Sequence, residues 1–329
     1  MNYFMLFAAA AGWPAMSSII AAWYPPGKFG RVWGIISTSS RLSSTLSLLF
    51  LGALLSVFAW QNIFRIAGAM GLLVGVVIFF YLKARPKDAG LAPVGREGPA
   101  AENNSGRNPH FLDDTNLKQA LCAFAKSGRF WLMCLSLMCT TVLMEFIGFL
   151  PIYLKESFNV PPSQAASSTS VFPAGCLIAL IVGGVIYDKV SRKGRIALLG
   201  GLLTVTCFCV GILWCLPGLQ ISPASRFVLA IVTLFVFGLA VAPAYYLPMS
   251  IFSIEFGGKH CGLLIGLIDA TGYGASMIYQ STGGKLVDSR GWQSMLVLLF
   301  TVAIAATLIT IWFAFEDYKR FRKPSAAAA

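Results

Sequence analysis

The stretch Gly30–Gln61, GRVWGIISTSSRLSSTLSLLFLGALLSVFAWQ, recurs without a gap as Gly262–Gln293, GLLIGLIDATGYGASMIYQSTGGKLVDSRGWQ. The constant offset of 232 residues pairs Gly30 with Gly262, Gly34 with Gly266, Ser44 with Ser276, Gly52 with Gly284 and Trp60-Gln61 with Trp292-Gln293. A Trp-Gln pair that closes both copies at the same distance from a glycine marks an internal repeat rather than a mere abundance of glycine. Both copies lie in long apolar stretches. Parallel repeats of that kind, related by an axis along the membrane normal, build one large class of secondary transporters.

Outward from the repeat, about 20 apolar residues suffice for a helix to cross a bilayer. Spans are predicted near 3–23, 32–58, 63–83, 129–153, 167–187, 196–217, 226–253, 262–283 and 292–315. The first three repeat the last three, and the middle three have no counterpart. The expected architecture is therefore an all-α membrane protein of nine transmembrane helices, with an incomplete N-terminal lobe and a complete six-helix C-terminal lobe. Residues 1–83 read as the back half of the first lobe, 84–127 as a central cytoplasmic loop, 128–316 as the second lobe and 317–329 as a cytoplasmic tail. By the same arithmetic a twelve-span carrier would have about 105 further residues in front, supplied by a longer chain or by a partner polypeptide. Within the loop, 116–129 reads as an amphipathic helix with Leu117, Leu121, Phe124 and Ala125 on one face.

Composition agrees: 57% of residues are hydrophobic and 12% charged, with a mean hydropathy of +0.74. That lies far from a soluble domain. The net charge of +12 does not point to nucleic acid, because the basic residues collect in alternate loops. Lys28, Arg31, Lys83 to Arg129, Lys189 to Arg195, Lys259 and Lys319 to Lys323 share one side. The positive-inside rule makes that side cytoplasmic, with Met1 outside and Ala329 inside, in a plasma membrane such as the bacterial inner membrane. The opening Met1-Asn-Tyr-Phe-Met-Leu-Phe has neither a basic flank nor a cleavage site and does not read as a signal peptide. The eight cysteines lie mostly within spans without ligand spacing, so packing is expected, and no metal, cofactor or redox role.

The loop after the fifth span runs Gly184-Val-Ile-Tyr-Asp188-Lys189-Val-Ser191-Arg192-Lys193-Gly-Arg195. Here the chain resembles the major facilitator superfamily, whose loop has Gly, Asp three residues on, Arg or Lys, then Gly-Arg-Arg/Lys. Ser191 stands where the second Gly is usual. The resemblance implies a gate latch: Gly184 permits close helix contact, and Asp188 caps or pairs with Arg192. Gly12-Trp13-Pro14, Trp23-Tyr24-Pro25-Pro26, Gly30-Arg31-Val-Trp33-Gly34 and Ser37-Thr38-Ser39-Ser40 look like the organophosphate:phosphate antiporter and sugar-phosphate permease branch. Pro86 to Pro93 and Pro151-Ile-Tyr153-Leu154-Lys155-Glu156 fit the same branch. Departures stand beside these matches. The position of one phosphate-binding Arg of the glycerol-phosphate members is Leu143, the fifth-span His position is Ser40, and Ser43-Ser44 replace a small Gly-Gly pair.

Three charges lie well inside predicted spans, away from their ends: Arg41, Glu145 and Asp269. Each costs about 2.5–3.5 kcal/mol at mid-helix and must face protein or a wet cavity. Arg41 and Glu145 are the leading substrate or coupling residues; Asp269, seven residues inside its span, reads as a gate or packing partner. Tyr273, the repeat mate of Arg41, is expected at the same depth in the other lobe, with Tyr245 and Tyr246 as further cavity residues. The expected activity is alternating-access transport, as symporter or antiporter, of a small polar anionic organic solute with a proton or inorganic phosphate as coupled ion. A sugar-phosphate sensor and an inactive remnant remain alternative readings. Enzyme chemistry is not expected, since there is no nucleotide loop or metal spacing and His110 and His260 lie in loops.

Overall fold

A computed structural model describes residues 12–24, 29–55, 60–91, 112 and 115–322, and all regular structure among them is helical. The helices are α1 (Gly12–Trp23), α2 (Phe29–Leu55), α3 (Trp60–Tyr81), α4 (Leu117–Lys126), α5 (Gly128–Glu145), α6 (Leu150–Phe158), α7 (Pro162–Thr169), α8 (Val171–Lys189), α9 (Arg192–Cys215), α10 (Pro223–Gly257) and α11 (Cys261–Arg322). Six runs among the described residues are long and apolar enough to cross a bilayer. The last, Cys261–Lys319, contains two predicted spans. Part of the predicted span 3–23 lies outside the described residues, as do most of the loop 92–114 and the tail beyond 322.

Local chemistry sets several boundaries. The start of α9 is fixed by Ser191, whose Oγ accepts from the Gly194 backbone N–H at 3.1 Å. This explains a serine where a glycine is usual: it satisfies one of the orphan donors of the helix start. Ser222 caps α10 in the same way through Ser225 N–H at 3.1 Å, with Pro223 in the first helical position. A straight helix of 62 residues would reach about 93 Å, three bilayer cores. Instead α11 breaks at Gly291, where φ 75° and ψ 175° are open to glycine and strained for other residues. The predicted span 129–153 is also interrupted, by a 3₁₀ turn at Phe146–Gly148 between α5 and α6.

Packing follows the small residues. A Cβ at Gly175 would overlap the Phe235 carbonyl, and one at Gly238 the Phe172 carbonyl, so α8 and α10 meet backbone to backbone. Helix α2 lies against α8 and α10, while α1 lies against α11. At that second meeting Ile20 and Ile265 are buried with Val32, Ile36 and Ile254 packed on them. Outward faces are apolar at helical spacing, as at Ile304, Leu308 and Trp312 of α11 and Val205, Phe208 and Ile212 of α9. A face of that kind is a lipid contact. Helix α3 is exposed along its described length. In α4 the buried positions are Ala120 and Phe124, with Phe124 set against Phe256 at 5.8 Å, while Leu117 and Leu121 point outward. Its predicted apolar face is thus split between protein and surroundings.

Candidate functional site

Arg41 sits mid-way along α2, facing α8 and α10. Its Nη2 donates to the Tyr246 hydroxyl, and its Cζ lies 5.4 Å from the centre of that ring. A hydrogen bond from a charged donor contributes about 1.5–3 kcal/mol and a cation–π contact about 0.5–2, which together roughly offset the cost of placing Arg in the membrane. The offset is incomplete in geometry. Arg41 Nε is buried and meets no hydrogen-bond partner among the described residues. Ser40, at the position given above for a histidine, is also within hydrogen-bonding reach of the Tyr246 hydroxyl.

Tyr246 is joined to Tyr245 by an edge-to-face contact of 4.6 Å on α10. Tyr245 in turn stands within electrostatic reach of Asp269 and Tyr273 on α11 and of Arg41 on α2. Asp269 is 8% exposed, and its Oδ2 has no hydrogen-bond donor among the described residues. Buried carboxylates without partners are uncommon and call for a physical reason. The internal repeat orders this arrangement. Ser37 and Arg41 are the mates of Asp269 and Tyr273, and each pair is spaced one helical turn on a single face. Ser37 Oγ, like Asp269 Oδ2, is buried without a partner among the described residues. Four of the predicted residues therefore converge: Arg41, Tyr245, Asp269 and Tyr273, with Tyr246 as the link.

Glu145 lies elsewhere. Its Oε2 accepts from Gln280 Nε2 at 3.0 Å, and its backbone carbonyl from the same nitrogen at 3.3 Å. Gln280 is about 16 Å further along α11 than Asp269, so Glu145 belongs to a different layer, at the break after α5. The latch residues fall at the opposite end. Gly184 is buried in α8, and the Asp188 side chain lies outside the described residues. Arg192 binds Glu255 through Nη2 at 3.0 Å and Asp317 through Nη1 at 3.1 Å. Arg129 shares Asp317 at 2.9 Å, and Arg195 lies 4.4 Å over the Tyr187 ring. Sequence reasoning missed Glu255 and Asp317, whose separations from Arg192 of 63 and 125 residues leave no local spacing to find. Their only signal was acidity at the ends of spans facing a basic loop. The eight cysteines are free, and no grouping among the described residues is suited to a metal.

The profile of the Major Facilitator Superfamily matches residues 3–213 and, a second time, 130–329. The chain belongs to the Major Facilitator Superfamily. It is an integral membrane protein with the helical bundle of that family. Among curated relatives, it is 23% identical over 346 residues to a putative glycerol-3-phosphate transporter 5 of Arabidopsis thaliana, covering 97% of this chain and 68% of the relative. It is 23% identical over 354 residues to the glucose-6-phosphate exchanger SLC37A2 of Xenopus tropicalis, covering 96% and 69%. A probable hexose phosphate transport protein of Chlamydia pneumoniae is 22% identical over 327 residues, covering 94% and 69%. The chain is thus similar to sugar-phosphate transporters and exchangers within the superfamily.

Proposed function

We propose that this facilitator-superfamily protein is a secondary transporter of a phosphorylated organic solute, working by alternating access in exchange for inorganic phosphate. The observation that carries this reading is the half-buried Arg41 with its buried Nε free among the described residues, held by Tyr246 where helices of the two proposed lobes, 1–83 and 128–316, meet. A guanidinium that keeps an unused, buried N–H attracts an oxyanion. The relatives' printed activities supply the phosphate ester as the solute class. Departure from the glycerol-phosphate members at Leu143 and Ser40 is met by moving the anion to Arg41. The Ile20, Ile36, Ile254 and Ile265 cluster, with the ion pairs of Arg192, forms the gate on the cytoplasmic side.

The test is counterflow in proteoliposomes loaded with inorganic phosphate. Labelled glucose 6-phosphate or glycerol 3-phosphate is expected to enter, and Arg41→Glu to abolish entry while the protein stays in the membrane. Arg41→Lys should retain part of it, because a point charge replaces the fork. Undiminished uptake by Arg41→Glu would sink the assignment.

A further inference from the structure

The site has two unsatisfied ends of opposite sign. At one, Arg41 Nε on α2 has no acceptor among the described residues; at the other, Asp269 Oδ2 on α11 has no donor. The rings of Tyr246 and Tyr245, 4.6 Å apart, join them. No ion pair joins Arg41 to Asp269 among the described residues. The internal repeat sharpens the contrast: Asp269 occupies the place that Ser37 holds in the other copy, and Arg41 the place that Tyr273 holds. Two related helices therefore present one cation and one anion within electrostatic reach of Tyr245, with Tyr246 beside it on the Arg41 side. A carboxylate in hydrocarbon costs about 2.5–3.5 kcal/mol, and nothing described offsets it at Asp269. A ligand cation would.

We propose that the preferred solute is a phosphate ester that also bears an ammonium group, with the phosphate at Arg41 and the ammonium at Asp269. This rests on the reading of Arg41 as the anion anchor. An ammonium donates to Asp269 Oδ2 and meets the faces of Tyr245 and Tyr273, while an uncharged hydroxyl at the same place leaves the carboxylate without its counter-charge. A packing role for Asp269, or a role in carrying a proton, gives no reason to tell two such esters apart.

A matched pair of probes tests this: glucosamine 6-phosphate and glucose 6-phosphate, which differ at one carbon by ammonium against hydroxyl. Each competes with labelled inorganic phosphate for the full chain in proteoliposomes. The expected result is at least about tenfold tighter competition by glucosamine 6-phosphate, the range of a charge-assisted hydrogen bond. Asp269→Asn should bring the ratio near one and Asp269→Glu should retain it. Because the readout is a ratio within one preparation, loss of folded protein does not mimic the effect. Equal competition by both esters in the unaltered chain overturns this inference while leaving the phosphate-ester reading intact, and so does a preference that survives Asp269→Asn. If neither ester competes, the phosphate-ester reading falls and this inference with it.

Discussion

Arg41 owes its position to one aromatic hydroxyl. Tyr246→Phe keeps the ring beneath the guanidinium but removes the oxygen that receives Nη2. The expected outcome is a KM for phosphate ester raised about tenfold or more, with the protein still folded, measured as concentration-dependent uptake. An unchanged KM would mean that the cation–π contact alone positions Arg41. That an intramembrane arginine had to face protein was legible in the sequence, since charge within an apolar stretch needs no partner to be noticed. Its link to Tyr246 was not, because 205 residues separate the two and helix rotation decides which tyrosine of an adjacent pair turns toward it. Asp269 shows the same limit. Its depth could be counted from the span boundary, but its lack of a donor appears only once the neighbouring helices are in place. The partner of Glu145 was equally out of sight, because 135 residues separate it from Gln280 and a 3₁₀ turn follows it within the span drawn over 129–153.

At the scale of elements, glycines decide how close helices come. Gly238→Ala pushes a methyl group into the Phe172 carbonyl on α8, where backbone cannot yield as a side chain would. A loss of about 1–3 kcal/mol is expected, visible as a lower thermal midpoint in detergent. Gly201→Ala, whose Cβ meets nothing within 4 Å, should be neutral or slightly stabilising through helix propensity. Equal midpoints for the two variants would contradict the close packing of α8 on α10. Gly291 gives a second case of a different kind. There is open space around it, yet alanine must adopt φ 75°, so Gly291→Ala should also lower the midpoint, by about 1 kcal/mol or more, through backbone strain alone. The repeat announced where this break falls, since Trp292-Gln293 closes the second copy as Trp60-Gln61 closes the first. It could not announce that helical hydrogen bonding would run almost unbroken through it.

At the scale of the whole molecule, the ion pairs of Arg192 with Glu255 and Asp317 hold α9, α10 and the end of α11 together. They are partly exposed, so each contributes roughly 1 kcal/mol or less. That is enough to bias two conformations of similar energy. Arg192→Ala is expected to raise the labelling rate of a cysteine placed at Ser253, which is fully buried beside the isoleucine cluster, by about fivefold in a cysteine-free background. No change in rate would remove Arg192 from the latch. The sequence identified this loop by its motif but could not add Glu255 and Asp317 to the partners of Arg192, because nothing short of the folded bundle brings the end of α11 back to α9. One more consequence follows from the two prolines of α10. Pro243 and Pro248 bracket Tyr245 and Tyr246 and remove two backbone donors within a turn and a half. Tyr246, which receives Arg41, thus rides on a stretch of α10 whose backbone ladder lacks two donors. With Arg41 as the anion anchor proposed above, drawing the Tyr246 hydroxyl away from it is work done on a spring, and the same few atoms would set both what is carried and how stiffly the carrier resists being turned.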